Sequence, residues 1–76
     1  MSWEIENNYL QKNFKFKNFV LAVDFINKIV PLAEGMNHHP DLLLHSYNQV
    51  LVKTRTHDVG KITEKDYERS KKIDLV

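Results

Sequence analysis

The 76-residue sequence contains no cysteine, and this absence excludes several kinds of chemistry at once. A chain without thiols forms no disulfide, offers no thiol nucleophile and builds no thiolate zinc site. Glycine and proline are also scarce, with two of each. Candidate catalytic groups must therefore come from histidines, carboxylates and other polar side chains.

Neither an excess of one charge nor a long apolar run marks the sequence. Eleven Lys plus Arg residues against ten Asp plus Glu residues give a net charge of +1, which argues against a dedicated nucleic-acid partner. The apolar runs are far shorter than the ~20 residues that span a bilayer, and the polar, acidic start does not resemble a signal peptide. We therefore expect a soluble, cytoplasmic protein with no membrane partner.

The length and the apolar content predict one small domain over residues 1–76. A hydrophobic fraction of 42% is sufficient for a folded globular chain. A chain of this size buries only about 60% of its unfolded surface, so its own core is marginal. Self-association is a common remedy for so small a core.

Alternation of apolar and polar residues predicts four strands in two hairpins. The alternating segments are residues 3–6, 14–17, 42–47 and 50–57. Asn7-Asn8 favours the first turn, because asparagine tolerates the left-handed backbone that tight turns need. Asn48-Gln49 is expected to form the second turn.

A helical pattern separates the two hairpins. Asn18 is a fair N-cap, and apolar residues then recur at steps of three and four. The expected buried stripe comprises Phe19, Ala22, Val23, Ile26, Ile29, Val30 and Ala33. Pro31 is expected to kink this helix, with one further turn to Glu34 and an end at Gly35.

The last segment predicts a second helix, from Glu64 towards Val76. Thr63 and Asp66 have the spacing of a capping box. The apolar stripe of this helix is thin and comprises Tyr67, Ser70, Ile73 and Leu75. The order ββαββα predicts an α+β fold, a two-layer sandwich of four antiparallel strands with two helices on one face.

The candidate site centres on adjacent histidines. His38 and His39 precede Pro40, Glu34 lies one helical turn earlier, and His57 follows a strand-like segment. Histidine exchanges protons near neutral pH, so such groups can serve as acid and base. Three histidines and a carboxylate also suit zinc or iron, although adjacent histidines seldom chelate one ion.

The spacing of these residues resembles a known signature. Glu34, three residues, His38-His39-Pro40, six residues, Tyr47, nine residues, His57, eight residues and Asp66 resemble the pattern of the pterin-4a-carbinolamine dehydratases. This resemblance implies a hydro-lyase that removes water from a 4a-hydroxytetrahydropterin to give the quinonoid dihydropterin. The family thereby recycles tetrahydrobiopterin after aromatic amino-acid hydroxylation.

The resemblance also implies roles for individual residues. The expected acid/base set is His38, His39 and His57. The expected substrate contacts are Glu34, Asn37, Pro40, Arg55, Thr56 and Asp58. Tyr47 and Asp66 are interpreted as structural members of the motif. No metal or cofactor is expected, the pterin being the substrate, and assembly into a homodimer or homotetramer is implied. The alternatives are a pterin binder with another substrate and a protein-interaction module that uses residues 64–76.

Overall fold

The computed structural model describes residues 3–36, 39–56 and 58–76. Its elements are β1 (Glu4–Glu6), β2 (Tyr9–Lys15), α1 (Phe19–Met36), β3 (Asp41–His45), β4 (Gln49–Thr54) and α2 (Glu64–Asp74). This is the predicted order ββαββα. Among these described residues, no helix is long and apolar enough to cross a membrane.

The strands form one antiparallel sheet in the order β1-β2-β4-β3. One face of the sheet carries both helices, because side chains from β4, α1 and α2 meet in a single core cluster. The cluster comprises Ala22, Phe25, Ile29, Val50, Val52 and Ile73. Burial of each larger aliphatic member contributes about 1.5–3 kcal/mol to folding. The opposite side of the sheet is called the open face below.

The first turn agrees with its prediction, and the second agrees only in part. Asn7 and Asn8 have φ values of 51° and 66°. In the second hairpin the positive φ values belong to Ser46 and Tyr47, at 51° and 57°. The turn comprises Ser46, Tyr47 and Asn48, whereas Gln49 is the first residue of β4. The backbone carbonyl and side-chain amide of Asn48 both bond to Phe16, each at 2.8 Å, and hold the end of the turn against the segment after β2.

Helix α1 begins as predicted and ends later than predicted. The Asn18 side chain accepts from the Leu21 amide at 2.9 Å, so the N-cap is confirmed. The helix continues past Pro31 to Met36, and Gly35 therefore lies inside it.

The buried stripe of α1 differs in part from the expected one. It comprises Ala22, Phe25, Ile29 and Ala33. Phe19 and Val30 were expected inside but are half exposed. The alternative row through Phe25 faces the sheet, because two rings from β2 and the segment after it pack on Phe25 at centroid distances of 4.7 and 4.9 Å.

Helix α2 has the predicted capping box and an unexpected buried face. Ser70 and Ile73 are buried as expected, whereas Tyr67 and Leu75 are exposed. Asp66 and Arg69 take the remaining buried positions, with 0% and 1% of their surfaces accessible. These four buried residues lie at steps of three and four, so the helix presents a stripe that is partly charged.

Candidate active site

The structure describes six of the nine residues predicted to act on a substrate. Asn37, His38 and His57 lie outside the described residues, and their roles stay predictions. The six that are described lie in two segments of the chain. Glu34, His39 and Pro40 occupy the connection from α1 to β3, while Arg55, Thr56 and Asp58 follow β4.

The sheet register brings these two segments to one edge. Asp41 at the start of β3 pairs with Lys53 near the end of β4. His39 comes two residues before Asp41, and Arg55 comes two residues after Lys53. Because the strands are antiparallel, the residues before β3 and after β4 emerge at the same end of the sheet.

His39 and Glu34 form the shortest polar contact among the described residues of the site. Nε2 of His39 lies 2.5 Å from Oε2 of Glu34, and both side chains are more than half exposed. An ionised carboxylate can only accept a hydrogen bond, so Nε2 carries the hydrogen. The neutral imidazole then presents Nδ1 as the nitrogen that can take a proton.

The Thr56 side chain belongs to a buried network of hydrogen bonds centred on Asp66. Its hydroxyl donates to Oδ2 of Asp66 at 3.0 Å and lies 2.6 Å from the Thr63 hydroxyl. The Thr54 hydroxyl donates to Oδ1 of Asp66 at 2.6 Å, and the Thr63 amide donates to Oδ2 at 2.9 Å. Asp66 therefore fixes both the start of α2 and the end of β4.

The loop after Thr56 closes on itself. The amides of Val59 and Gly60 donate to the Thr56 carbonyl at 3.3 and 2.8 Å, and Thr56 also donates its own amide to Lys61. Gly60 has φ +64°, a left-handed conformation that glycine adopts without steric cost. Asp58 is exposed on this loop.

Arg55 lies on the open face beside two residues that were not predicted. Its Cζ atom is 4.6 Å from the ring centroid of Tyr9, and Nζ of Lys53 is 4.5 Å from the same centroid. Tyr9 on β2 and Lys53 on β4 both occupy strand positions whose side chains point away from the helices. The sequence alone could not identify Tyr9 and Lys53 as neighbours of Arg55, because these contacts depend on which strands pair and in which register.

Tyr47 and His45 lie away from this edge. Tyr47 is in the β3–β4 turn, at the opposite end of β3 from His39, with 65% of its surface exposed. His45 bonds through Nε2 to Oδ1 of Asn13 at 2.7 Å and contacts the Ser46 hydroxyl at 3.2 Å. Within one chain, neither residue adjoins the His39–Glu34 pair.

The metal alternative depends on His38 and His57, which lie outside the described residues. Within the described segments, no three His, Asp or Glu side chains are grouped so as to hold an ion.

The fold and this edge define a class of proteins. The sequence profile of the family described as Pterin 4 alpha carbinolamine dehydratase matches residues 1–76. A protein of Sulfolobus acidocaldarius, provisionally named a pterin-4-alpha-carbinolamine dehydratase, is 51% identical over 74 residues, covering 97% of this chain and 80% of its own. A protein of Picosynechococcus with the same provisional name is 50% identical over 66 residues, covering 87% and 71%.

Solved structures agree with this result. The transcriptional coactivator/pterin dehydratase from Brucella melitensis superposes with a TM-score of 0.90 at 30% identity, covering 97% of this chain and 80% of that one. A pterin dehydratase-like protein, described as a RuBisCO assembly factor of the alpha-carboxysome, shares the fold with a TM-score of 0.82 at 18% identity, covering 99% and 88%. The chain belongs to the pterin-4a-carbinolamine dehydratase family.

Proposed function

We propose that this protein dehydrates a 4a-hydroxytetrahydropterin by histidine acid/base catalysis. The observation that carries the proposal is the contact of His39 with Glu34 at the sheet edge where Arg55 and Thr56 also lie. Membership of the family supports a pterin as the substrate.

The reaction requires two coordinated proton movements. A base removes the proton from N5 of the pterin while an acid protonates the 4a-hydroxyl group. The C4a–O bond breaks, water leaves, and a double bond forms between C4a and N5. A positioned acid or base contributes about 10²–10⁴ to such a rate.

His39 is suited to one of these movements. Glu34 accepts from Nε2 and so orients the ring, which leaves Nδ1 to exchange a proton with the substrate. His38 and His57 are proposed to complete the acid/base set. In cells that contain aromatic amino-acid hydroxylases, the same reaction would recycle tetrahydrobiopterin.

The first testable prediction concerns His39. Stopped-flow measurement of the loss of a synthetic 4a-hydroxytetrahydropterin should show acceleration by the wild-type protein. The variant His39→Ala, and the double variant His38→Ala/His57→Ala, should each be slower by about 10²–10⁴. His45→Ala is the matched control, since it removes a histidine from the far end of β3.

The outcomes separate the alternatives. A His39→Ala variant as fast as wild type would contradict the proposed role of this histidine. If the wild-type protein does not accelerate dehydration, a pterin-binding or protein-interaction role is favoured instead. The apolar residues exposed on and after α2, among them Tyr67 and Leu75, are the surface proposed for that second role.

A further inference from the structure

Two cations share one aromatic ring on the open face. Nζ of Lys53 and Cζ of Arg55 lie 4.5 and 4.6 Å from the centroid of Tyr9. We call Lys53 and Arg55 the cation pair. A cation over an aromatic face gains about 0.5–2 kcal/mol, but a neutral ring does not cancel a positive charge. The cation pair therefore concentrates positive potential at one point of the open face.

No carboxylate of the described segments forms an ion pair within 4.0 Å with the cation pair. Their ion pairs within 4.0 Å are Lys12 with Asp74 and His39 with Glu34, and neither includes the cation pair. Asp41 stands directly opposite Lys53 in the sheet, yet Lys53 turns to Tyr9. Glu6, opposite Tyr9 on β1, accepts a hydrogen bond from the side chain of Gln11 at 3.0 Å instead.

Arg55 is also incompletely hydrogen-bonded. Its Nε atom is buried and has no acceptor among the residues that the structure describes. A guanidinium keeps its charge and presents donors in a planar fork that matches a carboxylate or phosphate group. Lys53 would add a point charge to the same anion.

The position of the cation pair links it to the candidate active site. Arg55 follows β4 at the sheet edge where His39 precedes β3, and Thr56 is the next residue along the chain. A ligand whose ring lies against His39 would thus have its substituent within the field of the cation pair.

We propose that the cation pair binds an anionic group on the side chain of the pterin, either a phosphate ester or a carboxylate. This inference rests on the proposed function, because it assigns the substituent of the same ligand. It makes Lys53 and Arg55 residues that determine specificity among pterins.

The test compares three synthetic 4a-hydroxytetrahydropterins whose side chains are neutral, carboxylated or phosphorylated. The wild-type protein should show kcat/KM about tenfold or more higher for an anionic substrate than for the neutral one. This ratio should fall as salt is added, since salt screens exposed charges. The two anionic substrates distinguish phosphate from carboxylate.

Variants assign the effect to the cation pair. Lys53→Met and Arg55→Gln should each reduce the ratio of anionic to neutral kcat/KM towards one. Lys15→Met is the matched control, because Lys15 is exposed at the other end of β2 and its replacement changes the net charge equally. This control should keep the wild-type ratio.

Binding measurements separate this inference from the proposed function. Calorimetric titration with stable dihydropterins that carry the same three side chains needs no turnover. A preference for anionic ligands that Lys53→Met removes would support the inference even if no dehydration occurs. Equal kcat/KM and equal affinity for all three side chains would overturn it while leaving the dehydratase proposal standing. Nucleic-acid binding that requires Lys53, without any preference among pterins, would also overturn it.

Discussion

Arg69 is a charged residue in a buried environment, where arginine is seldom found. Only 1% of its surface is accessible, and its three guanidinium nitrogens have no hydrogen-bond acceptor within the described part of the chain. Burial lowers the pKa of Arg69, and the neighbouring Asp66 carboxylate opposes that shift. A buried cation without direct hydrogen bonds costs folding free energy, so its replacement should be favourable.

We therefore expect Arg69→Met to raise the free energy of unfolding by about 1–3 kcal/mol. The melting temperature should rise by roughly 4–8 °C for each kcal/mol in a domain of this size. Lys71→Met on the exposed face of the same helix is the matched control and should change stability little. A less stable Arg69→Met protein would mean that the guanidinium has acceptors in the assembled molecule.

The same substitution predicts a dependence on pH. Because the pKa of Arg69 is lower in the folded state, the unfolded state binds more protons at pH values between the folded and unfolded pKa. The loss of stability caused by burying the charged guanidinium is complete at neutral pH. It decreases as the pH rises from the pKa of Arg69 in the folded state towards its ordinary value. The stability difference between Arg69→Met and wild type should therefore be constant near neutrality and shrink at strongly alkaline pH, measured by urea unfolding.

At the scale of elements, Asp66 joins α2 to β4. Asp66→Ala would leave the hydroxyls of Thr54 and Thr56 and the amide of Thr63 without this acceptor. We expect the free energy of unfolding to fall by about 3 kcal/mol or more. Asp74→Ala is the control, because that carboxylate is partly exposed. Its pairing with Lys12 contributes at most about 1 kcal/mol, and its hydrogen bonds from Trp3 also lie at the surface.

An Asp66→Ala protein as stable as Asp74→Ala would contradict this account of the network. The effect on the site should accompany the effect on stability, since Thr56 loses its support. Amide hydrogen exchange of Val59 and Gly60, which donate to the Thr56 carbonyl, would report that loosening.

For the whole molecule, assembly into a homodimer or homotetramer stays a prediction. Helix α1 exposes apolar surface at Val20 and Val30, with 64% and 50% of these residues accessible. If copies associate through this helix, Val20→Asp should shift sedimentation towards the monomer and lower the melting temperature at high protein concentration. Leu75→Asp, at an exposed position after α2, serves as the control. Identical sedimentation of Val20→Asp and wild type would exclude Val20 from the contact.

The order of elements could be predicted because local signals were consistent. The Asn18 cap, the Thr63 capping box and the Asn7-Asn8 turn each depend on neighbouring residues alone. The second turn was predicted only in part, because the pairing of Gln49 with Lys15 and His45 and the bonds of Asn48 to Phe16 end the turn at Asn48. They leave Ser46 and Tyr47 in a conformation that neither residue type prefers.

The site was less predictable than the fold. Spacing located Glu34 and His39 but could not show that Nε2 faces the carboxylate. Arg55 was predicted from the family resemblance. The positions of Tyr9 and Lys53 beside it could not be predicted, because they depend on which strands pair. Burial of Arg69 could not be expected either, since a charged residue on a helix is normally placed in water.

The contact between Trp3, the residue before β1, and the end of α2 has a practical consequence. Trp3 is the single tryptophan of the chain, and its Nε1 donates to both oxygens of Asp74 at 3.1 and 3.2 Å. Its ring also meets Phe14 edge-on at 5.9 Å. The protein therefore carries an intrinsic fluorophore at the junction of its first strand and last helix, and the emission of that fluorophore can report detachment of α2 without any added label.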